Sequence, residues 1–173
     1  MDVDISTLHI ILLCLAGLTA GIVDAIAGGG GLITLPAVLA TGLPPHVALG
    51  TNKGQSVFGS FSALVRFSRA GLVDWKLARV AFPFGLGGAF AGAGLVLLVK
   101  PEVLKPLVLV LLVAVAVFLT FRKTPPRVDA PEPGPRPRAQ ALGALIALGI
   151  GAYDGFFGPG TGTFLIVAFS TLL

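Results

Sequence analysis

Charged residues are scarce in this sequence of 173 residues. Asp, Glu, Lys and Arg make up 12% of it, about half of the roughly 25% that soluble domains carry. Hydrophobic residues make up 55%, the mean hydropathy is +0.96, and the few charges are clustered between long apolar stretches. These values argue against a soluble domain and predict an all-α, polytopic integral membrane protein.

Residues that commonly support catalysis or metal binding are rare as well. The single cysteine, Cys14, cannot form an internal disulfide and is expected to be a small core hydrophobe. His9 and His46 have no neighbouring set of carboxylates or cysteines, and His46, which follows two prolines, is expected in a loop. The segment GTNKGQS (50–56) lacks the spacing of a phosphate-binding P-loop. We therefore expect no enzyme, no cofactor and no metal site.

The positive charge has a simple membrane explanation. The net charge is +4, but the cations lie in short loops, where the positive-inside rule accounts for them without a nucleic-acid partner. Loop 66–79 and residues 122–138 are rich in Lys and Arg, so both are expected on the cytoplasmic side and loop 100–105 outside. Asp2 and Asp4 stand where a signal peptide would be basic, so we expect the first span to be retained.

Five largely apolar segments precede a change in composition at residue 122. Their limits are 8–27, 32–41, 47–67, 77–99 and 104–121. Because a membrane-spanning helix needs about 20 residues, the second segment is long enough only for a half-helix. In the fourth, Gly85, Gly88 and Gly92 favour close helix packing.

Residues 122–138 are proline-rich and polar, with five cations and two acids, which predicts an extended cytoplasmic linker. Apolar sequence resumes at residue 139. The predicted organisation is a first transmembrane repeat (1–121), the linker (122–138) and the start of an incomplete second repeat (139–173).

An internal repeat relates the two apolar regions. A shift of 130 residues aligns GIVDAIAGGGG (21–31) with GAYDGFFGPGT (151–161), and eight of the 24 positions between 12 and 35 are identical. The shared pattern is D-x-x-x-G-x-G ahead of a short apolar piece. Paired broken segments in two halves are a sequence pointer to a transporter's binding site. We therefore predict broken or re-entrant helices in a repeat that is inverted if the linker is cytoplasmic.

The glycine-rich runs 28–31 and 158–163 predict a site for a small anion. Non-helical backbone within a bilayer survives only inside protein or beside a water-filled cavity. Glycine amides are unobstructed by side chains and would face the positive end of the half-helix that follows each run. The alternative is that the glycines only permit tight helix packing.

Asp24 and Asp154 each lie inside a predicted span. An ionised aspartate at the bilayer centre costs on the order of 3 kcal/mol, so each needs a partner, a proton or a cavity. One interpretation is a proton-coupling group. The other, which the sequence leaves open, is a neutral aspartic acid or one that caps the broken helix.

The segment 50–67 carries polar residues at helical spacing. Six residues share one helix face, namely Asn52, Gln55, Ser56, Gly59, Ser62 and Arg66. Thr51 or Asn52 can cap the helix, and Lys53 offers a positive charge to an anion. The alternative for Lys53 is a side chain that extends to the membrane interface.

Three segments together resemble the sulfite exporter TauE/SafE family of bacterial membrane proteins. They are GIVDAIAGGGGLITLP, ALGTNKGQSVFGSFSALVRFSRAGLVDW and GIGAYDGFFGPGTGTFLI. The resemblance implies a multi-pass carrier of the bacterial inner membrane, built from two homologous halves. Its substrates would be small sulfur-containing or organic anions such as sulfite, thiosulfate or sulfonates, moved by alternating access around a midplane site.

The resemblance also implies which residues form the site. The expected substrate-binding residues are Gly28, Gly29, Gly30, Gly31, Thr34, Asn52, Lys53, Gln55, Gly158, Gly160, Thr161 and Thr163. The second half stops at Leu173 without a counterpart of residues 43–121. We therefore expect a truncated member, or one completed by a second copy or another partner. The alternative function is a channel or a non-transporting subunit of a membrane assembly.

Overall fold

The computed structural model describes residues 7–27, 29–121 and 136–172, and this part of the chain is α-helical without strands. It contains seven helices. They are α1 Thr7–Ala27, α2 Gly31–Ala40, α3 Pro45–Arg69, α4 Trp75–Leu98, α5 Pro101–Phe121, α6 Arg136–Phe156 and α7 Thr161–Leu172. The prediction of an all-α membrane protein is confirmed, and α2 is the expected short helix of ten residues.

Two helices, α4 and α5, are long and apolar enough to cross a membrane. Shorter apolar stretches occupy 9–24, 31–40, 140–156 and 161–170. If α4 and α5 cross in succession, the turn at 70–74 and the end of α5 lie on one side and residues 99–100 on the other. That arrangement agrees with the distribution of Lys and Arg, and the cytoplasmic assignment stays a prediction.

The start of α3 differs from the expectation. The helix begins at Pro45, with Pro44 at the position before it, because proline fits the first helical turn, where its missing N–H has no helical partner. Thr51 and Asn52 therefore lie well inside α3, and the prediction that one of them caps it is wrong. His46 is in the first turn of α3 rather than in a loop. Its Nε2 donates to the carbonyl oxygen of Val96, 3.1 Å away.

Helices α4 and α6 are in backbone contact. A Cβ atom at Gly88 or Gly92 of α4 would overlap the carbonyl oxygen of Leu148 or Ala152, and one at Gly155 of α6 would overlap the carbonyl oxygen of Ala89. The contacts advance in the same direction along both helices, so the two run parallel. The expected close packing at these glycines is confirmed, and it fixes α6 on the first half of the chain.

The predicted linker and the first helix need two corrections. Helix α6 begins at Arg136, so the last three residues of 122–138 are helical, and 122–135 lie outside the described residues. Cys14 is exposed on α1, among other exposed apolar side chains such as Leu18. The expectation that it is a core residue is wrong, because this face of α1 is turned away from the other helices.

The buried core follows one stripe of α5. Leu104, Val108, Leu112 and Val115 recur at intervals of three or four residues and are at most 7% exposed. Such spacing places them on one helix face. They pack with buried residues of other helices and of the segment after α6, namely Leu35, Ala48, Leu49, Val96 and Phe157. The core therefore lies against the segments on which both helix breaks occur.

Candidate functional site

Two helix breaks occur at corresponding positions of the repeat alignment. The first break lies between α1 and α2, where we call the described residues 29–30 the first loop, and the second loop (residues 157–160) separates α6 from α7. With the shift of 130 residues, the starts of α2 and α7 coincide and the ends of α1 and α6 differ by one residue. The breaks were predictable from the glycines, while the repeat itself stays a prediction.

The first loop is closed by hydrogen bonds within its own chain. Gly30 N donates to Asp24 Oδ1 at 3.0 Å, while Leu32 N donates to Gly29 O at 3.0 Å and Thr34 N to Gly30 O at 3.1 Å. Gly29 and Gly30 are buried, and Gly28 lies outside the described residues. The amide of Gly30 is therefore engaged by Asp24, and an anion site at the other amides of this run stays a prediction.

The chain folds back along α1 at this loop. A Cβ atom at Gly30 would lie 2.6 Å from Ala20 O and 2.8 Å from Asp24 Cβ, so only glycine fits here. Gly30 precedes the first residue of α2, and the carboxylate of Asp24 accepts its amide. This geometry matches the capping alternative for Asp24, since a carboxylate near a helix N-terminus is favoured by the helix dipole.

The second loop depends on left-handed backbone. Gly158 and Gly160 have φ values of 100° and 84°, which glycine adopts without the steric cost that other residues pay. Tyr153 Oη donates to Pro159 O at 2.6 Å. The hydroxyl of Thr161 lies 2.8 Å from Asp154 Oδ1 and 2.5 Å from Gly158 O, so its one hydrogen has two acceptors.

An ion pair joins the two halves at the second loop. Lys53 Nζ of α3 lies 2.7 Å from Asp154 Oδ1 of α6, and the two side chains are 30% and 37% exposed. A Cβ atom at Gly158 would lie 2.9 Å from Lys53 Cε and would overlap its ammonium group. The absence of a side chain at Gly158 therefore provides the space that the ammonium group occupies.

The second loop contacts the first residue of α2, directly after the first loop. A Cβ atom at Gly31 would lie 3.2 Å from Pro159 Cα. Helix α5 lies against both loops, with Leu119 Cδ1 3.7 Å from the corresponding position at Gly29 and Val115 Cγ1 2.7 Å from that at Gly160. Gly29 of the first loop and Gly160 of the second loop thus lie beside the same part of α5.

A buried polar pair lies next to Lys53. Thr34 Oγ1 of α2 and Asn52 Oδ1 of α3 are 2.5 Å apart, and the residues are 5% and 3% exposed. Since Asn52 precedes Lys53 on α3, this hydrogen bond fixes the helix turn that carries the cation. Of the predicted polar face, Asn52 is buried, whereas Gln55 and Arg66 are exposed.

Two further expected site residues have different surroundings. Gln55 Nε2 is 3.7 Å from the position a Cβ atom would take at Gly17 of α1. Thr163 is buried, with 1% of its surface exposed. Among the described residues, no three His, Cys, Asp or Glu side chains gather in a way that could hold a metal ion.

A cavity of about 500 Å³ lies at another place in the fold. It is lined mostly by apolar residues, namely Phe67, Leu72, Val73, Asp74, Leu77, Ala78, Ala81 and Phe169. None of the predicted site residues lines it. We therefore place the candidate site at the loops and the ion pair.

Tyr153 and Pro159 were missed by the sequence reasoning. Tyr153 packs edge-on against Phe157 and Phe164, with ring centroids 6.0 and 5.2 Å away, and so connects the second loop with α7. A signal existed, because this is the only tyrosine of the chain and it directly precedes the repeated aspartate. Pro159 had no signal beyond its place between two glycines.

Helices that are apolar on the outside, with two breaks that meet beside an ion pair, define a membrane protein with a polar site inside its helix bundle. Residues 13–173 match the family model described as Sulfite exporter TauE/SafE. The chain belongs to this family of membrane transporters.

Relatives carry transporter names. The chain is 42% identical over 160 residues to the probable membrane transporter protein ORF9 of Sinorhizobium sp, which covers 92% of this chain and 60% of that protein. It is 39% identical to a probable membrane transporter protein of Haemophilus influenzae, over 100% of this chain and 66% of that protein. It is 36% identical to the probable membrane transporter protein YfcA of Escherichia coli, over 97% and 61%.

The chain thus spans about three fifths to two thirds of the length of these relatives. No solved structure matches it with statistical significance.

Proposed function

We propose that this chain contributes the substrate site of a secondary transporter, in the exporter class of its family, which moves small anions across a bacterial inner membrane. The anions are sulfur-containing or organic, such as sulfite, thiosulfate or organosulfonates, and they bind where the second loop contacts the start of α2. The observation that carries the proposal is the ammonium group of Lys53, 2.7 Å from Asp154, at the one point where both helix breaks come together.

Lys53 supplies the charge that the site needs. A small anion that leaves water for the interior of a helix bundle requires a fixed positive partner. Lys53 is 30% exposed, so a solute can reach it, and the hydroxyl of Thr161 adds a donor beside it. The second loop and α3 therefore form the binding surface, whereas the first loop, with Gly30 N bonded to Asp24, holds α2 and Thr34 in place.

Unequal contacts between the halves support alternating access. The backbones of α4 and α6 touch at Gly92 and Gly155, which favours movement of these helices as one body. The contact between Gly31 of α2 and Pro159 of the second loop is not among the hydrogen bonds of the described residues. We propose that this contact opens and closes around the anion, with a second copy or another partner completing the translocation path.

The test removes the cation. Protein carrying Lys53→Ala, reconstituted in vesicles, is expected to take up thiosulfate at least about tenfold more slowly, since a hydrogen bond to a charged group contributes about 1.5–3 kcal/mol. Lys76→Ala is the matched control, because Lys76 is an exposed cation in the first turn of α4 and should leave uptake unchanged.

Thermal unfolding in detergent checks that both variants fold. Unchanged thiosulfate kinetics in folded Lys53→Ala protein would remove Lys53 from the site. A flux through the unaltered protein that does not saturate with thiosulfate would indicate a channel instead of a carrier.

A further inference from the structure

We infer that Asp154 is a built-in competitor of the transported anion for Lys53, so that each anion enters the site together with one proton. This inference rests on the proposed function and specifies how its site is controlled. It also distinguishes the two repeated aspartates, since it assigns proton coupling to Asp154 and a bracing role to Asp24.

The first step is that the cation is already occupied. Asp154 Oδ1 lies 2.7 Å from Lys53 Nζ, where an oxygen atom of a bound sulfonate or carboxylate would otherwise lie. An anion and an ionised Asp154 at the same ammonium group would repel each other and leave one excess negative charge in the bundle. Protonation of Asp154 removes that charge. The proton comes from water, reaches the carboxylate and leaves Lys53 positively charged.

The second step is that the neighbourhood is prepared for the change. The hydroxyl of Thr161 lies 2.8 Å from Asp154 Oδ1 and 2.5 Å from Gly158 O. When Asp154 becomes neutral, the hydroxyl keeps an acceptor by donating to Gly158 O. The space that Gly158 leaves open for the ammonium group of Lys53 remains when the ion pair opens.

The third step concerns the groups that face the two aspartates. Asp154 meets the ammonium of Lys53 from α3 and the hydroxyl of Thr161 from α7, and Tyr153 beside it on α6 directs its own hydroxyl to Pro159. Asp24 accepts the neutral amide of Gly30. Protonation of Asp154 therefore releases a cation for a ligand, whereas protonation of Asp24 would only weaken a bond that holds the first loop.

The charge balance predicts the stoichiometry. The empty site contains Lys53 and ionised Asp154 and is neutral. The site loaded with a monovalent anion contains Lys53, the anion and protonated Asp154, and is neutral too. Forms with only the proton or only the anion carry a net charge, which is costly inside a membrane. Net movement of a monovalent anion should therefore follow the pH gradient and not the membrane potential.

The first experiment uses the unaltered protein and methanesulfonate, the monovalent anion of a strong acid, which does not itself take up a proton near neutral pH. In weakly buffered detergent solution, binding should take up one proton per anion and make the medium more alkaline. At pH values where Asp154 is ionised in the empty site, the apparent affinity for methanesulfonate should fall about tenfold for each unit by which the pH rises. This is the limit for linkage to one proton. Binding without proton uptake would overturn the inference.

The second experiment compares the two aspartates. Asp154→Asn should abolish proton uptake and make methanesulfonate binding independent of pH. Asp24→Asn should retain the proton uptake and the pH dependence of the unaltered protein. Proton uptake that persists in Asp154→Asn, or disappears in Asp24→Asn, would contradict the assignment. If Asp154→Asn does not fold, the measurement on the unaltered protein decides.

The outcomes separate the inference from the proposed function. If the unaltered protein neither binds methanesulfonate or thiosulfate nor transports them into vesicles, the proposed function and the inference both fail. If an anion binds, depends on Lys53 and takes up no proton, the transporter proposal stands and the role of Asp154 as competitor is refuted.

Discussion

The two loops carry the same sequence pattern and have different partners. In the first, Asp24 accepts the amide of Gly30 from its own loop. In the second, Asp154 meets Lys53, which comes from a helix about 100 residues earlier. The pattern D-x-x-x-G-x-G thus coincides with both helix breaks, whereas the neighbouring element determines whether its carboxylate accepts a backbone amide or pairs with a cation.

The aligned glycines differ in the same way. A Cβ atom at Gly151 of α6 would overlap the carbonyl oxygen of Gly85, whereas one at Gly21 of α1 would meet nothing within 4 Å. The second loop is thus mounted on a tightly packed helix pair, while α1 is open at the corresponding point. Substitutions at aligned positions should therefore have unequal effects, which the following variants measure.

The largest difference is expected between Gly151→Leu and Gly21→Leu. The leucine at position 151 must displace the backbone of α4 and should cost about 3 kcal/mol or more, because an overpacked core cannot relax against backbone. The leucine at position 21 enters open space. Thermal unfolding in detergent should show a large loss of stability for the first variant only, and similar losses in both would mean that α4 and α6 are not in backbone contact.

An intermediate difference is expected between Thr34→Val and Thr161→Val. Valine at position 34 leaves the amide of Asn52, which is 3% exposed, without its partner, at a cost of about 1–3 kcal/mol. At position 161 the lost hydroxyl served Asp154, which is 37% exposed and can turn to water. The prediction is checked by the unfolding temperatures, and equal values would contradict the burial of the Thr34–Asn52 pair.

The smallest effect is expected for Asp24→Asn. The amide oxygen of asparagine can accept from Gly30 N as the carboxylate does, so the stability should change by less than about 1 kcal/mol. Asp24→Leu is the control that removes the acceptor altogether. A stability of Asp24→Asn as low as that of Asp24→Leu would show that the negative charge, and not the hydrogen bond, holds the first loop.

The helix breaks could be predicted from local chemistry, while the site's central contact could not. The glycines at 28–31 and 158–162 and the ten-residue apolar segment after the first run indicated interrupted helices, because glycine favours turns and a half-helix is too short to cross a membrane. The ion pair of Lys53 and Asp154 depends on how the fold brings Lys53 of α3 to the second loop. No local pattern encodes that arrangement.

The errors have physical reasons of the same kind. Helix α3 begins at Pro45, seven residues before Asn52. Proline is favoured at the first helical position, where its missing N–H has no helical partner. Of the amides predicted to be bare in the first loop, that of Gly30 donates to Asp24, because a buried amide needs a hydrogen-bond partner.

The contact between the start of α2 and the second loop is the claim on which the rest depends, and a disulfide measures it most directly. Cβ atoms at Gly31 and Pro159 are 3.3 Å apart, close to the roughly 3.5–4.5 Å of disulfides. In protein with Cys14→Ala, the pair Gly31→Cys and Pro159→Cys should form a disulfide under mild oxidation in membranes, more slowly when thiosulfate is present. The control pair Gly21→Cys and Pro159→Cys should not form one. Absence of the disulfide in the first pair would contradict the account.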